Sequence, residues 1–205
     1  MKKVIVTPKD RVYNHLFPFL VFMDSFYVSY RFHLKGEIEK EYHGHFTIEG
    51  GSIKLEVKLP IYGPMISVVN NRKPDEIEIL MVENKKLELN RTSRSITSDI
   101  IDFIFFPVFV NFYESVKSEI IKLMGTDNQN NWISDGFRMG RVVRNSLSHN
   151  RRISFSDRTS KDIIWRGKMI SNKNDNELFS QHFNFTDVFI LMLDIDEELS
   201  KSELK

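Results

Sequence analysis

Residues 132–149 read Trp132-Ile133-Ser134-Asp135-Gly136-Phe137-Arg138-Met139-Gly140-Arg141-Val142-Val143-Arg144-Asn145-Ser146-Leu147-Ser148-His149. At about 100° per residue, Ile133, Phe137, Gly140, Val143 and Leu147 share one arc, which predicts a helix with that arc as its core face. Arg144 falls in the middle of the arc and Arg141 at its edge. Arg138, Asn145 and His149 cluster on the adjoining side. A guanidinium centred on an apolar face needs an anionic or carbonyl partner, because burying it unpaired is costly. That partner is either a carboxylate on a neighbouring helix, such as Asp102 or Glu114, or a bound phosphate.

The stretches around this helix sort by period. Residues 98–124 predict a long helix, with Thr97 or Ser98 as cap, Lys117 and Lys122 near its end, Gly125 as the C′ residue and a bend at Pro107. Downstream, Ile153 to Phe155 and Ile163 to Ile170, around Trp165, predict a hairpin over 152–170. Ser171 to Glu177 is polar and expected to be mobile. A last helix starts near Asn184 or Thr186, and its segment Val188 to Leu193 is apolar all round, so it should be buried. Near the start, residues 10–35 predict a helix that Pro18 kinks or restarts. Between 41 and 92 the pattern has period two: Phe46-Thr47-Ile48, Ile53 to Val57, Ile77-Glu78-Ile79 and Leu87-Glu88-Leu89 alternate between breaks at Gly50-Gly51, Pro60, Gly63-Pro64 and Asn70-Asn71. This predicts an antiparallel β region.

Composition limits the chemistry. The 205 residues are 41% hydrophobic and 28% charged, enough apolar material for a core. There is no cysteine, so disulfide scaffolds, thiolate zinc sites, iron–sulfur clusters and cysteine nucleophiles are excluded. No apolar run reaches the ~18 residues of a membrane span, and the apolar stretch after Lys2-Lys3 is too short for a signal peptide. The expectation is a soluble, cytoplasmic protein without a membrane partner. Phosphate-loop, dinucleotide and serine-hydrolase motifs do not occur. His43-Gly44-His45 puts two imidazoles on one strand face, but no third ligand has a sensible spacing, so no metal and no cofactor are expected.

The net charge of +1 conceals a split. Residues 138–173 carry 10 basic residues against 2 acidic, and residues 174–205 carry 2 basic against 8 acidic. The basic stretch either meets an external anion, phosphate being the commonest large one, or folds against the acidic tail.

The run Arg144-Asn145-Ser146-Leu147-Ser148-His149 resembles the Rx4–6H motif of the HEPN superfamily (higher eukaryotes and prokaryotes nucleotide-binding). There the arginine is commonly followed by a polar residue, often asparagine, near the end of a helix in an α-helical bundle. The resemblance covers residues 96–200 and does not extend over 41–92. It implies a metal-independent endoribonuclease that works as a homodimer, with two motifs facing each other across a composite cleft. It also implies roles in toxin–antitoxin systems or phage defence, with an antitoxin or other protein partner. Other members of the superfamily are non-catalytic interaction or nucleotide-binding modules.

The residue types suit that chemistry. Metal-free RNA cleavage needs a base for the 2′-hydroxyl and positive charge on the phosphate. Histidine as a residue type changes charge near neutrality, so His149 is the candidate for proton transfer, as base or acid. Arg144 can hold phosphate oxygens in a fork, and Asn145 can orient His149. Arg138, Arg141, Arg151 and Arg152 are candidates for RNA-binding contacts. On a straight helix Arg144 and His149 stand about 140° apart, so a bend or a partner subunit is needed to bring them to one phosphate. Trp165, Phe155 and Lys168 can stack a base, although aromatics in a short strand more often belong to a core.

The resulting expectation is an α+β chain, a single HEPN-like domain over 1–205. Its helical core comprises 10–35 and 98–200, with a β-rich insertion at 41–92 and a hairpin before the last helix. The leading function is an RNase acting through Arg144, Asn145 and His149. A non-catalytic module is the alternative, and an RNA-binding regulator that does not cut is a third reading.

Overall fold

The computed structural model describes residues 2–35, 45–50, 53–58, 73–83, 96–155 and 161–202. The chain is α+β, with helices and antiparallel strands in two compact units, 1–95 and 96–205.

In the first unit the chain runs β1 (Lys2–Val6), α1 (Tyr13–Lys35), β2 (His45–Gly50), β3 (Ile53–Lys58) and β4 (Ile77–Glu83). The sheet is antiparallel throughout, in the order β1-β4-β3-β2. Period-two alternation buries Leu55, Val57, Ile77, Ile79 and Met81 on one face. On the other face, Glu78 is ion-paired with Lys3 and, at 3.1 Å, with Lys58. Strand β1 was not expected from the sequence; it pairs Val4 with Ile79 and Val6 with Ile77. The predicted strand Leu87-Glu88-Leu89 lies outside the described residues. Helix α1 runs uninterrupted through Pro18, which is exposed, while Leu16, Phe17, Phe19 and Leu20 are buried.

The second unit comprises α2 (Ile96–Met124), α3 (Asp135–Ser148), β5 (Ile163–Trp165), β6 (Lys168–Ile170) and α4 (Phe185–Ser202). Helix α2 continues through Pro107. That residue faces solvent, where water can satisfy the carbonyl that the missing N–H leaves free. Helices α2, α3 and α4 pack on one another, and Phe105 on α2 meets Phe185 and Phe189 on α4 at centroid distances of 4.5 and 5.6 Å. The segment Val188 to Leu193 is buried all round, as its composition predicts. Gly140 is the close-approach point of α3. A Cβ there would stand 2.7 Å from Cδ1 of Ile195 and 2.8 Å from Cε2 of Tyr113.

The hairpin is shorter than expected. Ile153 to Phe155 is not a strand, and β5 pairs with β6 around a two-residue turn, Arg166-Gly167, with φ of 48° and 78°. Positive φ at both central residues matches the right-handed twist of the strands. Asp194 on α4 holds this turn: its carboxylate accepts from Nε and Nη2 of Arg166 at 2.6 and 2.8 Å and from Nε1 of Trp165 at 3.0 Å. Ser171 to Glu177, expected to be mobile, is tied down instead. Ser171 and Asn174 form a capping box, and Ile153 bonds through its N–H to Glu177 and through its carbonyl to Asn176, at 2.9 and 2.8 Å.

Candidate functional site

Ser134 decides where α3 begins. Its hydroxyl accepts from the Phe137 N–H at 3.1 Å and donates to Glu198 at 2.8 Å, so the helix starts at Asp135. Ile133, predicted as a core residue, is left ahead of the cap and is 92% exposed. The buried face is centred differently from the predicted arc: Phe137, Gly140 and Val143 are joined by Met139, Val142 and Ser146. Packing against α2, α4 and β5 covers more than one narrow stripe. Arg144 therefore lies at the margin of the core and not in its middle.

There its guanidinium is partnered. Nε faces the carboxylate of Glu114 on α2, as an ion pair rather than an aligned hydrogen bond, and Nη1 donates to Oδ1 of Asn145 at 3.1 Å. Glu114 is one of the two carboxylates that the sequence offered for this role. The pair is reached by solvent, with side-chain exposures of 27% for Arg144 and 40% for Glu114.

The end of α3 answers the wheel argument against Arg144 and His149 acting together. The helix stops at Ser148, and His149 is the C-cap with φ −126° and ψ 84°. Its backbone has left the helical path, so a helical projection no longer fixes its side chain. Asn150 and Arg151 follow, both with φ of 54°, and the Arg152 N–H closes the turn on the His149 carbonyl at 3.3 Å. Asparagine adopts the left-handed region readily, so the cost falls on Arg151, at about 1–2 kcal/mol. Strain of this kind collects at functional segments.

The four arginines offered for RNA contacts have different roles. Arg138 is buried: Nη1 donates to Asp135 at 2.9 Å and to the Asp162 carbonyl at 3.2 Å, and Nη2 donates to the Lys161 carbonyl at 2.6 Å. It ties the chain entering β5 to α3 and leaves the exposed cationic surface. Arg141 fastens the loop before α3. Its Nη1 donates to the carbonyl and carboxylate of Asp127 at 2.6 and 3.0 Å, and its guanidinium lies 5.3 Å from the Trp132 ring. Arg152 donates to the Asn176 carbonyl at 2.6 Å and remains exposed. Arg151 is exposed and its guanidinium rests 5.7 Å from the Phe106 ring, with no hydrogen-bonded or charged partner for that group among the described residues. His149 is also exposed.

The hairpin offers little for stacking. Trp165 is buried against α4, Phe155 is half-buried, and Lys168 is held by Asp187 at 3.1 Å and by the His182 carbonyl at 3.2 Å. His43 and Gly44 lie outside the described residues, as does the His45 side chain. Among the described residues no group of three acidic or histidine side chains is arranged to hold a metal ion. No helix among them is long and apolar enough to cross a membrane.

One pair of residues escaped the sequence reading. His182 and Glu177 lie on the loop between the hairpin and α4, with His182 Nε2 2.6 Å from Glu177 Oε2. Nδ2 of Asn174 donates to the same oxygen at 3.0 Å. The Asn174 amide first and the His182 ring second hold the Glu177 carboxyl below the usual glutamate range. A usable signal was present: between residues 96 and 205 the only histidines are His149 and His182.

Comparison with protein-family models, with curated proteins and with solved structures finds no match to this chain.

Proposed function

We propose that residues 96–205 form a HEPN-like, metal-independent endoribonuclease in which His149 exchanges the proton of the 2′-hydroxyl and Arg144, with Arg151, engages the scissile phosphate. The observation that carries this reading is the end of α3. An Arg-Asn-x-x-x-His run finishes a helix packed between two others, and its histidine is exposed next to an exposed arginine in a strained turn. Asn145 accepts from Arg144 and so orients the arginine, not the histidine expected from spacing. A homodimer that joins two such helix ends, and a defence or toxin role held in check by a protein partner, belong to this reading through the family resemblance.

The Glu114–Arg144 ion pair favours a second reading, a non-catalytic module in which Arg144 is structural. Cleavage of labelled single-stranded RNA in EDTA separates the two. Wild type is expected to leave 2′,3′-cyclic phosphate ends and His149→Ala to leave the RNA intact. A folded wild-type protein that cleaves none of several RNAs rejects the ribonuclease.

A further inference from the structure

The loop from Ser171 to His182 is a chain of side chains that orient one another. The Ser171 N–H donates to Oδ1 of Asn174 at 2.9 Å. Nδ2 of Asn174 donates to Oε2 of Glu177 at 3.0 Å, and that oxygen holds Nε2 of His182 at 2.6 Å. The Lys168 amine fixes the His182 backbone from the other side, donating to its carbonyl at 3.2 Å. One ring nitrogen is thus used for positioning. The other, Nδ1, has no partner among the described residues, and the side chain keeps 22% of its surface in solvent.

This chain is bonded through the backbone to the segment that leaves α3. Glu177 accepts from the N–H of Ile153, Leu178 bridges Arg152, and the Phe179 N–H donates to the Arg151 carbonyl at 2.9 Å. His182 stands one turn beyond, its N–H on the Phe179 carbonyl at 3.0 Å. The positioned imidazole and the end of the Arg-Asn-x-x-x-His run therefore belong to two adjacent, hydrogen-bonded segments of one unit, with Arg151 and Arg152 on the shared stretch.

We propose that His182, positioned by Glu177, is the second proton-transfer group of the RNA-cleaving site. The proposal rests on the ribonuclease reading. Attack of the 2′-oxygen and departure of the 5′-oxygen take place on opposite sides of the phosphorus, so two groups are required, one for each proton. The 2′-hydroxyl proton passes to His149 as the O2′–P bond forms. The P–O5′ bond breaks, and O5′ takes a proton from Nδ1 of a doubly protonated His182. The products are a 2′,3′-cyclic phosphate and a 5′-hydroxyl, with no oxidant or further reactant. Glu177 acts through His182 and is a positioning residue.

An RNA substrate with sulfur in place of the bridging 5′-oxygen tests the assignment, because a thiolate leaves without being protonated. His182→Ala is expected to slow cleavage of ordinary RNA by about 10²–10⁴-fold and to recover most of that loss on the sulfur-bridged RNA. His149→Ala is expected to be slow on both. Glu177→Gln, which keeps the imidazole, is expected to show a smaller loss that also shrinks on the sulfur-bridged RNA. Wild-type rates on ordinary RNA in His182→Ala overturn the proposal and leave His149 in place, with the second proton coming from elsewhere, such as a second copy. Equal losses on both substrates in His182→Ala and in Glu177→Gln overturn it as well and make the loop a structural staple. A wild type that cleaves neither substrate removes the ribonuclease reading, and this proposal with it.

Discussion

Glu114 on α2 and Arg144 on α3 form an ion pair across two helices, and the Asn145 amide oxygen takes a second N–H of the same guanidinium. A carboxylate there has two consequences. It gives Arg144 a partner in the free protein, and it competes with any phosphate that would use the same fork. Because solvent reaches both groups, their mutual stabilisation is expected to be under about 1 kcal/mol. Arg144→Ala should therefore keep its melting temperature within a few degrees of wild type and lose RNA cleavage. Glu114→Gln should keep the fold and bind RNA at least as tightly. A large fall in melting temperature for Arg144→Ala, with RNA binding unchanged, would make the arginine purely structural.

Gly140 should tolerate no side chain. A methyl group would meet Ile195 and Tyr113 at 2.7 and 2.8 Å, and the Tyr113 ring has no room to retreat because it is buried. Gly140→Ala is expected to cost about 1–3 kcal/mol through overpacking, measured by urea unfolding. The higher helix propensity of alanine, worth about 1 kcal/mol, offsets only part of this. An unchanged midpoint would mean that the three helices can separate slightly at little cost.

Arg138 and Arg151 should behave as opposites. Arg138→Ala breaks hydrogen bonds from a buried guanidinium to two carbonyls and a carboxylate, and is expected to cost about 2–4 kcal/mol. The salt dependence of RNA binding should not change. Arg151→Gly relieves a left-handed residue and gives up only an exposed ring contact, so stability should stay within about 1 kcal/mol of wild type. Its RNA binding should weaken, and the slope of log affinity against log salt should fall by about 1. Titrations at several salt concentrations give both slopes; identical slopes for Arg151→Gly and wild type would exclude it from the phosphate contacts.

Acid sensitivity should trace in part to Glu177. Its carboxyl titrates below its ordinary value of 4.5, because the Asn174 amide and the His182 ring favour the charged form. The folded value lies below the unfolded one, so the group stabilises the fold above the ordinary value. That contribution is lost as pH falls through the lower, folded value. Between about pH 6 and about pH 3, Glu177→Gln should lose less stability than wild type in chemical denaturation. Equal losses would show that the staple does not contribute to stability.

Tyr113 should stay protonated in the alkaline range for as long as the fold persists. Burial raises its phenol well above the ordinary value of 10.0. Unfolded chains ionise first, so the stability associated with this group is present below pH about 10 and is lost as pH rises beyond it. Tyr13 is buried as well and its phenol is also raised, by burial first and by Asp75 second, so an absorbance titration should find both tyrosines ionising together with unfolding. Tyr113→Phe should remove one tyrosine from that step.

What the sequence alone determined is whatever repeats along the chain. Period two in Ile53 to Val57 and Ile77 to Ile79 gave the antiparallel strands, and the apolar run Val188 to Leu193 gave the buried helix, since repeating patterns are read locally. Glu114 could be named, beside Asp102, as a partner for Arg144 because a guanidinium placed on an apolar face demands an anionic or carbonyl partner; that Arg144 sits at the margin of the core was decided by the packing. Tertiary structure decided what depends on groups distant in the chain. The burial of Arg138 could not be read locally, because besides the nearby Asp135 carboxylate its acceptors are two backbone carbonyls 23 and 24 residues away, and backbone acceptors carry no sequence signal. The place of Ile133 turned on a single hydroxyl, the Ser134 cap, which excludes it from the helix. Strand β1 was too short to declare itself and exists through its pairing with β4. The Glu177–His182 pair shows the same limit: each residue is ordinary in sequence, and only the folding of the loop brings the two side chains together and bonds Glu177 and Phe179 to the residues that follow α3.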